Sequence, residues 1–129
     1  MQGLYALAAH FKMGNDKANK KFIDRLIFKI KENGNRLDTG FLGTPILLDV
    51  LTNYGEKDIA YKLLLQEECP SWLYMVNQGA TTIWECWDAI KPNGNRNIIS
   101  YNHYSLGSVQ DYIVRKIGGL GSGTYKLNI

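Results

Sequence analysis

The sequence is poor in the residues that announce a metal or redox centre, with two cysteines, Cys69 and Cys86, and two histidines, His10 and His103. The cysteines have no CxxC spacing and no histidine cluster beside them. Neither a zinc site nor a dithiol motif is indicated, no metal or other cofactor is expected, and buried thiols are the simpler account. No segment approaches the roughly 20 apolar residues of a membrane helix, so no membrane partner is expected. The start, MQGLYALAAHF, lacks the basic region and cleavage site of a secretory signal. It reads as the middle of a helical domain, and no compartment follows from it. An acidic excess is also missing: the net charge is +3, most of it from Lys12, Lys17, Lys20, Lys21, Arg25, Lys29 and Lys31. Such a stretch could mark a nucleic-acid footprint. Here the cations interleave with Phe22, Ile23, Leu26, Ile27 and Ile30 at helical spacing, so they belong to the wet side of an amphipathic helix and no nucleic-acid partner is expected.

What is present is an ordinary globular composition, 45% apolar and 21% charged over 129 residues, enough for one domain with a real core. Leu4, Leu7, Ala8 and Phe11 recur at i, i+3, i+4, i+7, which predicts a first helix ending near Gly14. A second is predicted over residues 16–33, stopped by Gly34, and a loop follows over 35–43. Thr44 and Pro45 form a helix start, the threonine oxygen capping free amides and the proline having no donor to waste. The third helix then covers 45–53, a fourth 56–67 and a short fifth 72–77, capped by Ser71. A last helix over 102–117 buries Leu106, Val109, Ile113 and Ile117. Six helices joined by short connections, with no convincing strand, predict an all-α fold of antiparallel helical hairpins.

Between the fifth and last helices, residues 79–101 show no helical period. They hold Trp84, Glu85, Cys86, Trp87 and Asp88 in a row. Long irregular loops in compact domains tend to carry function. A carboxylate beside indoles suits sugar chemistry: tryptophan faces pack on the C–H faces of a pyranose, while a carboxylate handles a hydroxyl or a water. An apolar wall also makes a carboxylate a more competent base near neutral pH. On composition alone, burial explains the two tryptophans better, with Glu85 as a surface or capping group. His103 is read equally well as a helix-start residue or a ligand contact, and His10 as structural. Asp88 could orient Glu85 or cap a turn. Asp38 is the second carboxylate candidate and ranks below Glu85. The Thr39-Gly40-Phe41 loop could form the rim of a pocket, although a turn would also explain Gly40.

Four ordered motifs resemble one family. They are the run Leu37 to Pro45; Pro70-Ser71-Trp72-Leu73-Tyr74-Met75 leading to Gly79-Ala80-Thr81-Thr82-Ile83-Trp84-Glu85; Ser100-Tyr101-Asn102-His103-Tyr104; and Gly107-Ser108-Val109. In that order and at that spacing they resemble the bacterial α-L-rhamnosidases, over residues 2–120. The resemblance implies that residues 1–120 are the C-terminal half of an (α/α)6-barrel catalytic domain, with residues 121–129 leading toward a β-sandwich. It implies that Glu85 is the general base of an inverting displacement and that the general acid is a glutamate of an earlier motif absent from this chain. It further implies that Trp84 and Trp87 wall the sugar site and that His103 hydrogen-bonds the rhamnose. Cys86 departs from the pattern, since the family more often has arginine there; the departure bears on a local ion pair and not on the base.

The expected partner is therefore a rhamnose-containing saccharide or glycoside, and the isolated chain is expected to be inactive. The alternatives are a non-catalytic helical module binding a saccharide or a protein, and a helical-barrel hydrolase acting on another sugar. A closed barrel of this kind needs twelve helices, so six should leave an open apolar face and favour self-association.

Overall fold

The computed structural model describes residues 1–120; the tail predicted to lead toward a β-sandwich lies outside the described residues. Five helices come first: α1 (Gln2–His10), α2 (Asp16–Glu32), α3 (Thr44–Asn53), α4 (Lys57–Leu64) and α5 (Trp72–Asn77). After a long irregular segment come a 3₁₀ turn (Ser105–Ser108), α6 (Val109–Tyr112) and a π-helical turn (Ile113–Ile117). Among the described residues no strand forms; Ile90 and Arg96 make one isolated antiparallel bridge. None of these helices is long and apolar enough to cross a membrane. The all-α class is the one the sequence predicts.

The helices form where the local signals place them. Asn15 caps α2, its side chain accepting from the amide of Ala18 at 3.0 Å. Gly34 follows at φ +66, the left-handed stop that glycine adopts without a steric penalty. Along α2, Ile23, Leu26 and Ile30 are buried, while the lysines and Arg25 lie on the outer side. α1 packs on α2 and α3, and α3 also packs on α4 and on the last helical segment. Leu47, Leu48, Val50 and Leu51 of α3 therefore sit at the centre of the core, with Ile59, Ala60 and Leu63 of α4 beside them. Each fully buried leucine contributes roughly 1.5–3 kcal/mol relative to exposure. α1 and the start of α3 approach closely: a Cβ added at Gly43 would stand 3.0 Å from the Gly3 Cα.

Four expectations need correction. α1 buries only part of its Leu4–Phe11 stripe: Ala8 is buried and Leu7 half-buried, Leu4 and Phe11 are exposed, and the other buried positions are Gln2, Ala6 and Ala9. Small residues let the helix lie close to its neighbours, and Gln2 is held by the loop, its Nε2 donating to the Arg36 carbonyl at 2.8 Å and its Oε1 accepting from the Asp38 amide at 3.0 Å. Thr44 does not cap α3. Its hydroxyl meets the Gly40 carbonyl at 2.9 Å and the Thr39 hydroxyl at 2.9 Å, so it ties the preceding loop together instead.

α4 stops at Leu64 rather than running to Glu67. Gln66 donates to the Asn35 carbonyl at 3.2 Å and Glu68 pairs with Arg36, which draws the chain off the helix axis well before Pro70. The last helix does not begin at Asn102. The Asn102 amide donates to the Ser100 hydroxyl and the Ser105 amide to His103 Nδ1, so side chains take backbone donors that a helix would use. At its other end the Gly118 amide bonds to the Ile113 carbonyl at 2.8 Å, widening the final turn. Leu106 and Tyr112 are buried as a result, whereas Val109 is half-buried and Ile113 and Ile117 are exposed.

Candidate active site

A second apolar cluster, Met75, Trp84, Ala89 and Leu106, lies under the irregular segment. Above it opens a cleft of about 300 Å³ lined by Thr39, Gly40, Phe41, Glu85, Cys86, Trp87, Ile99 and Leu106. The segment has almost no regular structure, so side chains supply its fastening. Trp87 Nε1 donates to the Thr39 carbonyl at 2.8 Å, joining the site loop to the loop before α3. Trp72 Nε1 donates to the Leu106 carbonyl at 2.8 Å, and the two indoles meet edge to face with centroids 5.2 Å apart. Tyr74 reaches the Ile90 carbonyl at 2.7 Å, and Tyr101 reaches the Ala89 carbonyl at 2.9 Å.

Glu85 stands on the wall of this cleft, half-buried. It exchanges two hydrogen bonds with Ser100: its amide donates to the Ser100 carbonyl at 3.0 Å, and its Oε2 accepts from the Ser100 amide at 2.9 Å. One carboxylate oxygen is thereby fixed in direction, and Oε1 has no protein partner among the described residues. A carboxylate held in this way can orient a water or a hydroxyl and accept its proton.

The other sequence candidates fall in different places. Trp87 lines the cleft. Trp84 does not: it is 3% exposed, packs edge-on against Tyr101 at 5.6 Å, and supports the site from beneath. His103 sits at the rim behind Phe41, their rings stacked at 5.0 Å and 13°. Its backbone amide donates to the Ile83 carbonyl at 2.8 Å, which ties it to the loop just before Trp84.

Asp88 lines a separate hollow, with Cys69, Pro70 and Lys91, rather than the cleft that holds Glu85. Its carbonyl accepts from Asn97 Nδ2 at 3.1 Å. Burial, with Asp88 adding to it, pushes both the Cys69 and the Cys86 thiols above the ordinary value, so both stay protonated near neutral pH. The cysteines are free and half-buried. Asp38 is exposed and pairs with the amino group of Met1, apart from the cleft. His10 lies on α1, against Phe11. Among the described residues no three histidine, cysteine or acidic side chains gather as a metal site would require.

The Thr39-Gly40-Phe41 loop does form the rim. The sequence reading missed Ser100, whose main chain orients Glu85, and Ile99, which completes the wall. Ser100 heads one of the four motifs but had no assigned part, and Ile99 lies outside them; a long-range loop pairing brings both back to Glu85, and no local pattern reveals that pairing.

The chain matches the bacterial alpha-L-rhamnosidase six-hairpin glycosidase domain over residues 1–117. It is 42% identical over 125 residues to an alpha-L-rhamnosidase of Streptomyces avermitilis, covering 95% of this chain and 12% of that protein. An alpha-L-rhamnosidase of Formosa agariphila is 42% identical over 122 residues, covering 92% of this chain and 13% of that protein. Among solved structures, the Streptomyces avermitilis alpha-L-rhamnosidase complexed with L-rhamnose superposes with a TM-score of 0.90 at 43% identity, over 92% of this chain and 12% of that one. The native enzyme from Aspergillus terreus gives 0.87 at 41% identity, over 92% of this chain and 14% of that one. The chain thus spans about an eighth of the length of the proteins it matches.

Proposed function

We propose, because this chain belongs to the bacterial α-L-rhamnosidase six-hairpin glycosidase family, that it forms the general-base side of a glycoside hydrolase site acting on terminal α-L-rhamnosides. The observation that carries the proposal is the Glu85 carboxylate, anchored through Oε2 by the Ser100 amide on the wall of a cleft shared with Trp87 and Phe41. In this reading Oε1 takes a proton from the water that attacks the anomeric carbon. Trp87 and Phe41 pack on the sugar, His103 hydrogen-bonds it, and Trp84 supports the floor. The displacement inverts the anomeric centre.

An inverting site holds its two carboxyl groups about 6.5–9.5 Å apart, so that a water fits beneath the sugar. In this reading the acid is a glutamate of an earlier motif that is not among these 129 residues. Asp38 does not replace it, since it is exposed and apart from the cleft. Asp88 does not replace it either, since it lines a separate hollow beside Cys69 and Pro70 and not the cleft. The 129-residue chain alone is accordingly inactive on an aryl α-L-rhamnoside.

The test is Glu85→Gln in the complete enzyme that contains this segment, assayed on an aryl α-L-rhamnoside. The amide keeps the shape and the bond from Ser100 but cannot accept the water's proton. Turnover should fall by about 10²–10⁴-fold, the usual contribution of a general base, with the fold retained. Near-native turnover would remove Glu85 from the mechanism. Full turnover of other aryl glycosides, with none of the rhamnoside, would leave the hydrolase but replace the sugar.

A further inference from the structure

We propose that Phe41 and Tyr104 are positioning residues: they clamp the His103 imidazole in one plane and one tautomer, with Nε2–H as the hydrogen-bond donor it presents to a ligand. The inference rests on the reading of the cleft as a glycoside site, and it adds what makes His103 usable there.

Three rings stand in one pile. Phe41 and His103 are stacked at 5.0 Å and 13°, and His103 and Tyr104 at 5.3 Å and 9°. The imidazole is the middle member, so it cannot tip without opening one of two contacts. Within that plane a second constraint acts. The Ser105 amide donates to Nδ1 at 3.3 Å, and a nitrogen that accepts carries no proton. A neutral imidazole so engaged holds its proton on Nε2. No protein group among the described residues bonds Nε2. The ring is thus a donor of fixed direction, behind the Phe41 that walls the cleft. The backbone tie from His103 to Ile83 fixes the base of the pile against the segment that carries Glu85. Such a donor suits a sugar hydroxyl or ring oxygen, where a one-ångström misplacement already weakens binding and catalysis.

The clamp separates two roles that loss of a ring would otherwise blur. Phe41 touches the cleft, while Tyr104 is 87% exposed and does not line it. Removing Tyr104 therefore tests the clamp without removing a cleft wall or a core contact.

Two measurements test this. In the 129-residue chain labelled with ¹⁵N-histidine, at a pH above the histidine range, His103 should show a protonated Nε2 and a bare Nδ1, and Tyr104→Ala should bring tautomer averaging. Nδ1 carrying the proton, or averaging already present in the unmodified chain, would overturn the proposal. In the complete enzyme, Phe41→Leu and Tyr104→Ala should each raise KM for an aryl α-L-rhamnoside by about 2- to 10-fold, the scale of an aromatic contact, with a smaller change in kcat. Tyr104→Phe and Phe41→Tyr keep the rings and should recover the affinity. Unchanged KM in Tyr104→Ala, alongside turnover abolished by Glu85→Gln, would sink the clamp and leave the site reading intact. Full turnover in Glu85→Gln would sink the site reading, while the nitrogen spectrum would still decide the clamp.

Discussion

The helical layer of α1 to α4 and the irregular segment of residues 79–104 solve opposite problems. In the helices every turn satisfies its own backbone, but packing is left unfinished: Leu4, Phe11, Phe28, Ile113 and Ile117 are all exposed on this layer and the last turn that joins it. In the irregular segment almost nothing is locally satisfied. Yet aromatic donors close it, with Trp72, Tyr74, Trp87 and Tyr101 each reaching a main-chain carbonyl. Regularity is therefore no measure of completeness. The segment with the least secondary structure carries its own fastening, and the one with the most leaves several apolar side chains exposed.

The largest expected effect follows from that unfinished packing. Apolar surface costs about 25 cal/mol per Å² in water, so a few hundred Å² drives association by several kcal/mol. The 129-residue chain should self-associate, most simply as a two-fold dimer covering the helical layer. Sedimentation across a concentration series checks this. Exchange of Leu4 and Phe11 for polar residues should shift the equilibrium toward monomer, whereas Ile98→Ser in the site segment should not. A chain that stays monomeric at every concentration would break the comparison from the helical side.

Next comes a paired substitution. Leu26 is fully buried in the helical core, and Leu26→Ala should cost about 2–5 kcal/mol, seen as a lower urea midpoint for the whole chain. Trp87→Phe keeps most of the apolar contact but strips the donor from the Thr39 carbonyl, an expected loss of about 1–3 kcal/mol. That loss should be local. Hydrogen exchange should speed up at the amides of Glu85 and Ser100, which bind each other across the segment, while α2 keeps its protection. Equal loss of protection in α2 would show that the two regions unfold as one unit.

The same contrast explains what the sequence reveals and what it hides. α2 and α5 are legible because caps, glycine and periodicity act within a few residues: Ser71 accepts from the Tyr74 amide as its position predicts. The Leu4–Phe11 stripe misleads because periodicity marks an apolar side without saying what covers it. α4 ends early because Gln66 bonds the Asn35 carbonyl and Glu68 pairs with Arg36, partners about thirty residues apart in the chain. In the site, the motifs single out Glu85, Trp87 and the Phe41 loop, and folding brings all three to one cleft. That Trp84 lies beneath the cleft and Asp88 beside another hollow is hidden, since an indole under a cleft and one on its wall share the same local sequence. For Trp84 it is the edge of Tyr101, brought in by folding, that meets the buried indole.

The smallest expected effect sits where the helical layer meets the last turn. Arg115 bonds Asp111 through Nε at 2.9 and 2.8 Å and reaches Asp49 on α3 at 2.7 Å. Its hydrogen bond holds the Asp111 carboxyl below the ordinary value of 3.8, and the two carboxylates hold the guanidinium above its own. A depressed carboxyl pKa means that the unfolded chain takes up the proton first as pH falls. The stabilisation is complete above 3.8 and is lost as pH drops through the lower folded value. Asp111 is exposed, so solvent and salt screen the pair and the effect is small. Asp111→Asn should lower the melting temperature slightly at neutral pH and low salt, and the gap should close both in high salt and at acid pH. Arg115 keeps its bond to the half-buried Asp49 in that variant, so the seam itself should hold. A gap that persists below the folded pKa, or ignores salt, would mean that Asp111 acts through packing and that charge contributes nothing measurable to this junction.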